Sequence, residues 1–169
     1  MELPDIADCP RVELYPPGRE DAAFADLSAD RADEDRLLAL AAQYGPRLLV
    51  REVWCRVLPR CGILISSALC GGTFVQRVEE AARAYPHRCW LLVEPMAEEF
   101  PLPCPSGSGN RITIIDYDKP FCSDALCCQY THFLRDQQGV MVLWDTEATI
   151  CRKMELAKAA GFLGYVSPA

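Results

Sequence analysis

Hydrophobic positions along this chain fall into short blocks whose period switches between two residues and three to four. Residues 48–58 (LLVREVWCRVL) open as an apolar run and then alternate, with Val53, Cys55 and Val57 set against Trp54 and Arg56, which is a strand pattern. Residues 63–66 (ILIS) and 89–93 (CWLLV) are short, branched and apolar, as buried strands are. Between them, Gly71, Gly72 and Thr73 open a helical stretch over 74–84, with Val75, Val78 and Ala82 on one side and Pro86 as its stop. A further helical stretch, in two pieces, is expected between Pro16-Pro17-Gly18 and Tyr44-Gly45-Pro46. Residues 94–111 hold four prolines, two glycines and two serines, the composition of a long irregular loop. Beyond it, residues 112–115 read as a strand, and 129–134 with 140–143 bracket 135–139 as a hairpin. Residues 146–160 then place Ile150, Met154, Ala157 and Ala160 on a helical stripe, Gly161 follows, and 162–166 read as a last strand.

Strands alternating with helices, several of the strands apolar on both faces, predict an α/β fold. The expected form is a mostly parallel sheet flanked by helices, a reduced or partial β/α barrel, with any ligand site at the carboxyl ends of the strands. A length of 169 residues fits a single domain over residues 1–169. Its acidic N-terminal segment, residues 1–36, holds 11 acidic and 4 basic side chains and so carries the whole net charge of −7. Asp30, Asp33, Glu34 and Asp35 immediately precede Leu37, Leu38 and Leu40, as carboxylates in a first helical turn do; the alternative is an acidic docking segment. Net acidity excludes a sequence-independent nucleic-acid binder, which needs clustered cations. No apolar run reaches the roughly 18 residues of a bilayer span and residues 1–10 lack a signal-peptide pattern, so a cytoplasmic location without membrane contact is expected.

Ten cysteines without an export signal read as mostly free thiols. Cys55 and Cys61, Cys122 and Cys127, and the adjacent Cys127-Cys128 match no zinc-site spacing, so neither a metal nor a cofactor is expected. The two histidines, His87 and His132, have no local sequence beside any cysteine that marks a catalytic pair. Carboxylates give a sharper pattern. Glu94 ends one strand, Asp116 and Asp118 end the next, and Asp145 follows Trp144 at the end of a third. In a parallel sheet these ends share one edge. Carboxylates gathered there beside Tyr117 and Trp144 are what a glycosidase builds its acid and its base or nucleophile from, or what a Mg²⁺ site is made of. The plainer reading is that such residues cap helices and turns, and Asp145 stands where it could cap the helix that follows.

Residues 129–166 (QYTHFLRDQQGVMVLWDTEATICRKMELAKAAGFLGYV) resemble the C-terminal part of family-18 glycoside hydrolase-like proteins, especially the bacterial spore-associated type. Trp144 and Asp145, then Lys153, Leu156 and Ala157, then Gly161, Phe162 and Gly164 stand at matching positions. Residues 112–118 (ITIIDYD) are similar to that family's barrel strand ending in Tyr-Asp, which implies that Tyr117 and Asp118 line a sugar site. Departures are equally plain. The family's Asp-x-x-Asp-x-Asp-x-Glu acid signature is missing, the chain is short for its barrel, and residues 162–166 lack the tryptophan that floors the sugar pocket. The resemblance therefore implies a shortened, non-catalytic member; joined with the carboxylate edge, it gives the expectation of a carbohydrate or similar small polar ligand bound through Glu94, Asp116, Tyr117, Asp118, Trp144 and Asp145. The alternatives are a carboxylate-dependent hydrolase at the same edge, or a protein-interaction module. Exposed sheet edges also make a homodimer a natural way to complete the sheet.

Overall fold

The computed structural model describes residues 12–15, 23–24, 34–104, 109–113, 117 and 119–168. Two short strands, β1 (Val12–Tyr15) and β2 (Ala23–Phe24), precede helix α1 (Glu34–Tyr44). The alternation expected over residues 48–58 stops early: β3 (Leu48–Arg51) gives way to a 3₁₀ turn (Glu52–Trp54). Then follow β4 (Gly62–Ser66), helix α2 (Phe74–Ala84) and β5 (Cys89–Leu92). The helical stretch expected between Gly18 and Tyr44 is corrected in part: Ala23–Phe24 is strand β2, which pairs with β3, α1 covers Glu34–Tyr44, and the remainder lies outside the described residues.

These strands build a six-stranded sheet in the order β1, then the last strand β11 (Tyr165–Pro168), then β5, β4, β3 and β2. Every pairing in it is parallel except that of β1 with β11. The sheet curls into a half-barrel with helices outside, so the class is α/β. Leu48, Val50, Ile63, Ile65, Cys89 and Leu91 point outward to Leu37 and Leu40 of α1, Phe74, Val78 and Ala81 of α2, and Ala157. Leu49, Leu64, Trp90, Leu92 and Val166 fill the opposite, concave face. This two-sided burial is why the strands read as continuous apolar runs rather than alternating ones. Gly62 is needed on the concave face, because a Cβ there would run into the Leu49 side chain and touch the Trp90 ring at 3.4 Å.

A second sheet is inserted between β5 and the final helix. It is antiparallel, in the order β7 (Asn110–Arg111), β6 (Ala97–Leu102), β10 (Gln138–Trp144), β9 (Cys128–Arg135) and β8 (Phe121–Ser123). Two expectations are corrected here. The proline-rich stretch 94–111 is not loop throughout, since β6 runs through Pro101, opposite Val140 of β10. Residues 112 and 113 are not strand, although Ile112 donates its N–H to Ala97 O at 3.0 Å; residues 114 and 115 lie outside the described set. The hairpin is present, one residue longer at each outer end, and turns at Asp136 and Gln137, which both take positive φ (50° and 67°) as a two-residue turn requires.

Helix α3 (Glu147–Ala159) returns the chain to β11, which starts at Tyr165 rather than 162 because Gly161, at φ 96°, ends the helix and Phe162 packs into the core first. Both α2 and α3 begin at a threonine. Thr73 Oγ1 accepts from Gln76 N–H, and Thr146 and Thr149 form a reciprocal capping box. The cap of α3 is thus Thr146 and not Asp145. No helix among the described residues is long and apolar enough to cross a membrane.

Candidate functional site

Strand register decides what stands at the carboxyl edge of the curled sheet. Arg51 pairs with Leu64, and Ser66 pairs with Leu92. Because side chains alternate along a strand, Arg51, Ser66 and Glu94 all share the face of Leu64 and Leu92, which is the concave one. Each closes an apolar run: LLV then Arg51, ILI then Ser66, LLV then Glu94. The three side chains meet above the apolar concave floor.

Their geometry is tight. Arg51 Nη2 donates to Glu94 Oε1 at 2.6 Å and Nη1 to Oε2 at 3.4 Å, while Ser66 Oγ donates to Oε2 at 2.6 Å. Ser66 Oγ in turn accepts from Ala68 N–H at 3.1 Å. The side chains of Arg51 and Glu94 are 25% and 22% exposed, so the cluster is partly desolvated yet open to a ligand. Arg51 Nε is buried without a hydrogen-bond partner among the described residues.

Asp145 is used differently. The strand that ends beside it, β10, belongs to the antiparallel sheet, so Glu94 and Asp145 do not follow neighbouring strands of one parallel sheet. Its side chain and that of Lys153 are fully buried. Lys153 Nζ lies 2.8 and 2.9 Å from the two Asp145 oxygens and 3.0 Å from Ser67 O. Thr149 Oγ1 and Met96 N–H donate to the same carboxylate, each at 3.0 Å. All three groups around the Asp145 carboxylate, Lys153 Nζ, Thr149 Oγ1 and Met96 N–H, are donors, and the carboxylate is closed to solvent.

Trp144 is also buried, on the antiparallel sheet, where its ring lies 5.3 Å from that of Tyr117. Tyr117 lies 6.2 Å from Phe133 as well, in a cluster with Val140 and Val142. The structure therefore brings Tyr117 and Trp144 together and leaves Glu94 as the solvent-open carboxylate among the described candidates. Asp116 and Asp118 lie outside the described residues. Among the described residues, no three His, Cys, Asp or Glu side chains come together as metal ligands.

Cys70 and Cys128 pack in the cluster of Met96, Phe100 and Leu143, and Cys89 packs against α2. Cys70 Sγ sits 3.3 Å from Glu98 Oε2 and 3.6 Å from Met96 Sδ. Burial, with the Glu98 contact added, pushes its pKa up to about 12. Burial likewise pushes Cys89 and Cys128 up to about 11. Such thiols stay protonated near neutral pH, whereas reactivity needs the thiolate.

Sequence reading found Glu94 but missed Arg51, Ser66 and Lys153 as parts of one structure. A signal was present for the first two, since each is the polar residue that ends an apolar run just as Glu94 does. Lys153 stands three residues after Ile150 and four before Ala157, and that spacing turns it inward with them.

No family model matches the chain, and no curated protein matches it. Solved structures do. The spore cortex-lytic enzyme SleL of Bacillus megaterium QM B1551 superimposes with a TM-score of 0.51 at 11% identity over 80% of this chain. YdhD of Bacillus subtilis, designated a sporulation-specific glycosylase, gives 0.49 at 11% identity over 84%. The match covers 42% of SleL and 62% of YdhD, so this chain corresponds to only part of either. At that identity the likeness to SleL shows the fold alone: this chain folds as part of that protein does.

Proposed function

We propose that this chain is a reduced, family-18-like relative of glycosidase barrels that binds a carbohydrate at the carboxyl edge of its half-barrel without cleaving it. The observation that carries this reading is the Arg51–Ser66–Glu94 cluster, a convergent set of donors and acceptors set on an apolar concave floor where α/β folds hold their ligands. Sugar hydroxyls both donate and accept. A guanidinium, a hydroxyl and a carboxylate within one hydrogen-bonded group can meet such a ligand from several sides.

What supports binding without cleavage is how the two described candidate carboxylates, Glu94 and Asp145, are engaged. Glycoside hydrolysis by the usual route needs one carboxyl group that delivers a proton and a second that acts as base or nucleophile. Glu94 has both oxygens accepting hydrogen bonds, from Arg51 and Ser66, and Asp145 is sealed against Lys153. Neither stands free to take either role.

A thermal-shift scan against mono- and oligosaccharides, on the wild type and on Glu94→Gln, tests the proposal. A sugar that binds only the folded state stabilises it by about 2.7 kcal/mol at a hundredfold excess over Kd. The wild type is expected to shift with at least one sugar, Glu94→Gln to lose that shift, and neither to release product on prolonged incubation. Absence of any shift, or an equal shift in both proteins, would overturn the reading.

A further inference from the structure

Glu94 is held along its backbone as well as at its carboxylate, and the backbone grip leads to a buried ion pair. Ser67 Oγ accepts from Glu94 N–H at 2.9 Å and donates to Glu94 O at 3.1 Å. Ser67 is itself 1% exposed, and its carbonyl accepts from Lys153 Nζ at 3.0 Å. On the other side, Asp145 Oδ2 accepts from Met96 N–H at 3.0 Å, and Asp145 N–H donates to Met96 O at 2.8 Å. The Lys153–Asp145 pair thus grips Ser67, which clamps Glu94, and Met96, two residues further along.

Stability alone does not explain an ion pair at this place. A buried pair is often no more stabilising than two apolar side chains of similar volume, because both charges lose their hydration. What an apolar pair could not supply is the directional bonds to Ser67 O and Met96 N–H. These bonds join α3, the end of β4 and the start of the antiparallel sheet around the one segment that presents Glu94.

We propose that Lys153 and Asp145 are positioning residues, whose hydrogen bonds to Ser67 and Met96 set the Glu94 backbone so that its carboxylate meets Arg51 and Ser66. This inference rests on Glu94 being the functional carboxylate, but its test needs no sugar, so it can fail separately from the carbohydrate reading. The experiment is amide hydrogen exchange by NMR on the full chain. It compares the wild type, the paired variant Lys153→Met with Asp145→Leu, and Val78→Ala, which weakens the core without removing any hydrogen bond of the network.

The reference is Leu91 N–H, bonded to Gly164 O just ahead of β11. In the paired variant, Glu94 N–H should exchange about tenfold faster relative to Leu91, the equivalent of about one lost hydrogen bond. In Val78→Ala that ratio should stay at its wild-type value. An unchanged ratio in a folded paired variant overturns the proposal, as does an equal rise in Val78→Ala. Should the paired variant fail to fold, a second uncharged pair, Lys153→Leu with Asp145→Ala, deletes the same bonds without leaving a charge buried, and the same ratio decides.

Discussion

Asp145 and Lys153 are eight residues apart and bury two opposite charges with their side chains wholly out of water. Removing one charge should leave the other uncompensated, so Asp145→Asn is expected to lower unfolding stability by about 3–5 kcal/mol in urea denaturation. Replacing both with Met and Leu should cost far less. A near-zero cost for Asp145→Asn would show that the pair is not electrostatically closed. The thiols make a second prediction at this scale. Folding raises the pKa of Cys70, Cys89 and Cys128 above the ordinary value of 9.0, so the unfolded chain releases those protons first as pH rises. Their contribution to stability is then fully present below about pH 9 and is lost as pH climbs through 11 to 12. Urea midpoints measured from pH 8 upward should fall from about pH 9, and Cys128→Ala should flatten part of that fall. A midpoint independent of pH across this range would contradict the assignment of these thiols as buried and neutral.

Elements follow local rules where local rules suffice. Helix α2 has the expected bounds because Thr73 caps it and Pro86 lies just past its end, and the hairpin keeps its place because Asp136 and Gln137 turn where two residues must. Thr146→Ala should cost about 1 kcal/mol by removing half of the α3 capping box. Gln137→Gly should instead stabilise by up to about 1 kcal/mol, since φ of 67° strains any side chain but suits glycine. Both are read from thermal or urea melts, and a stabilised Thr146→Ala or a destabilised Gln137→Gly would contradict these geometries. Where elements were misjudged, the controlling contact was remote. β6 forms across Pro101 because β10 pairs with it about 40 residues later, and nothing within 94–111 announces that partner. β3 ends at Arg51, although its alternation continues, because the chain must turn there to reach the start of parallel β4.

Across the whole molecule, the centre of the parallel sheet was legible because β3, β4 and β5 are buried on both faces and α2 carries a cap and a stop, whereas β2 stands where a helix was expected. The antiparallel insertion was legible only in its hairpin. The candidate site was half legible: Glu94 was visible as the end of an apolar run. Its partners were not, because Arg51 and Ser66 lie 43 and 28 residues away and meet it only through the registers of β3, β4 and β5. Asp145 was visible as a carboxylate after a strand, but its burial against Lys153 depends on how the two sheets close over α3. What results is a concave apolar floor rimmed by Arg51, Ser66 and Glu94, in a chain that shares its fold with 42% of SleL. Chemical-shift mapping on the labelled chain, titrated with the oligosaccharide that gives the largest thermal shift, locates the ligand directly. Binding at the carboxyl edge requires the perturbed amides to centre on Arg51, Ser66, Ser67 and Glu94; perturbations confined to another surface, or none, would contradict it.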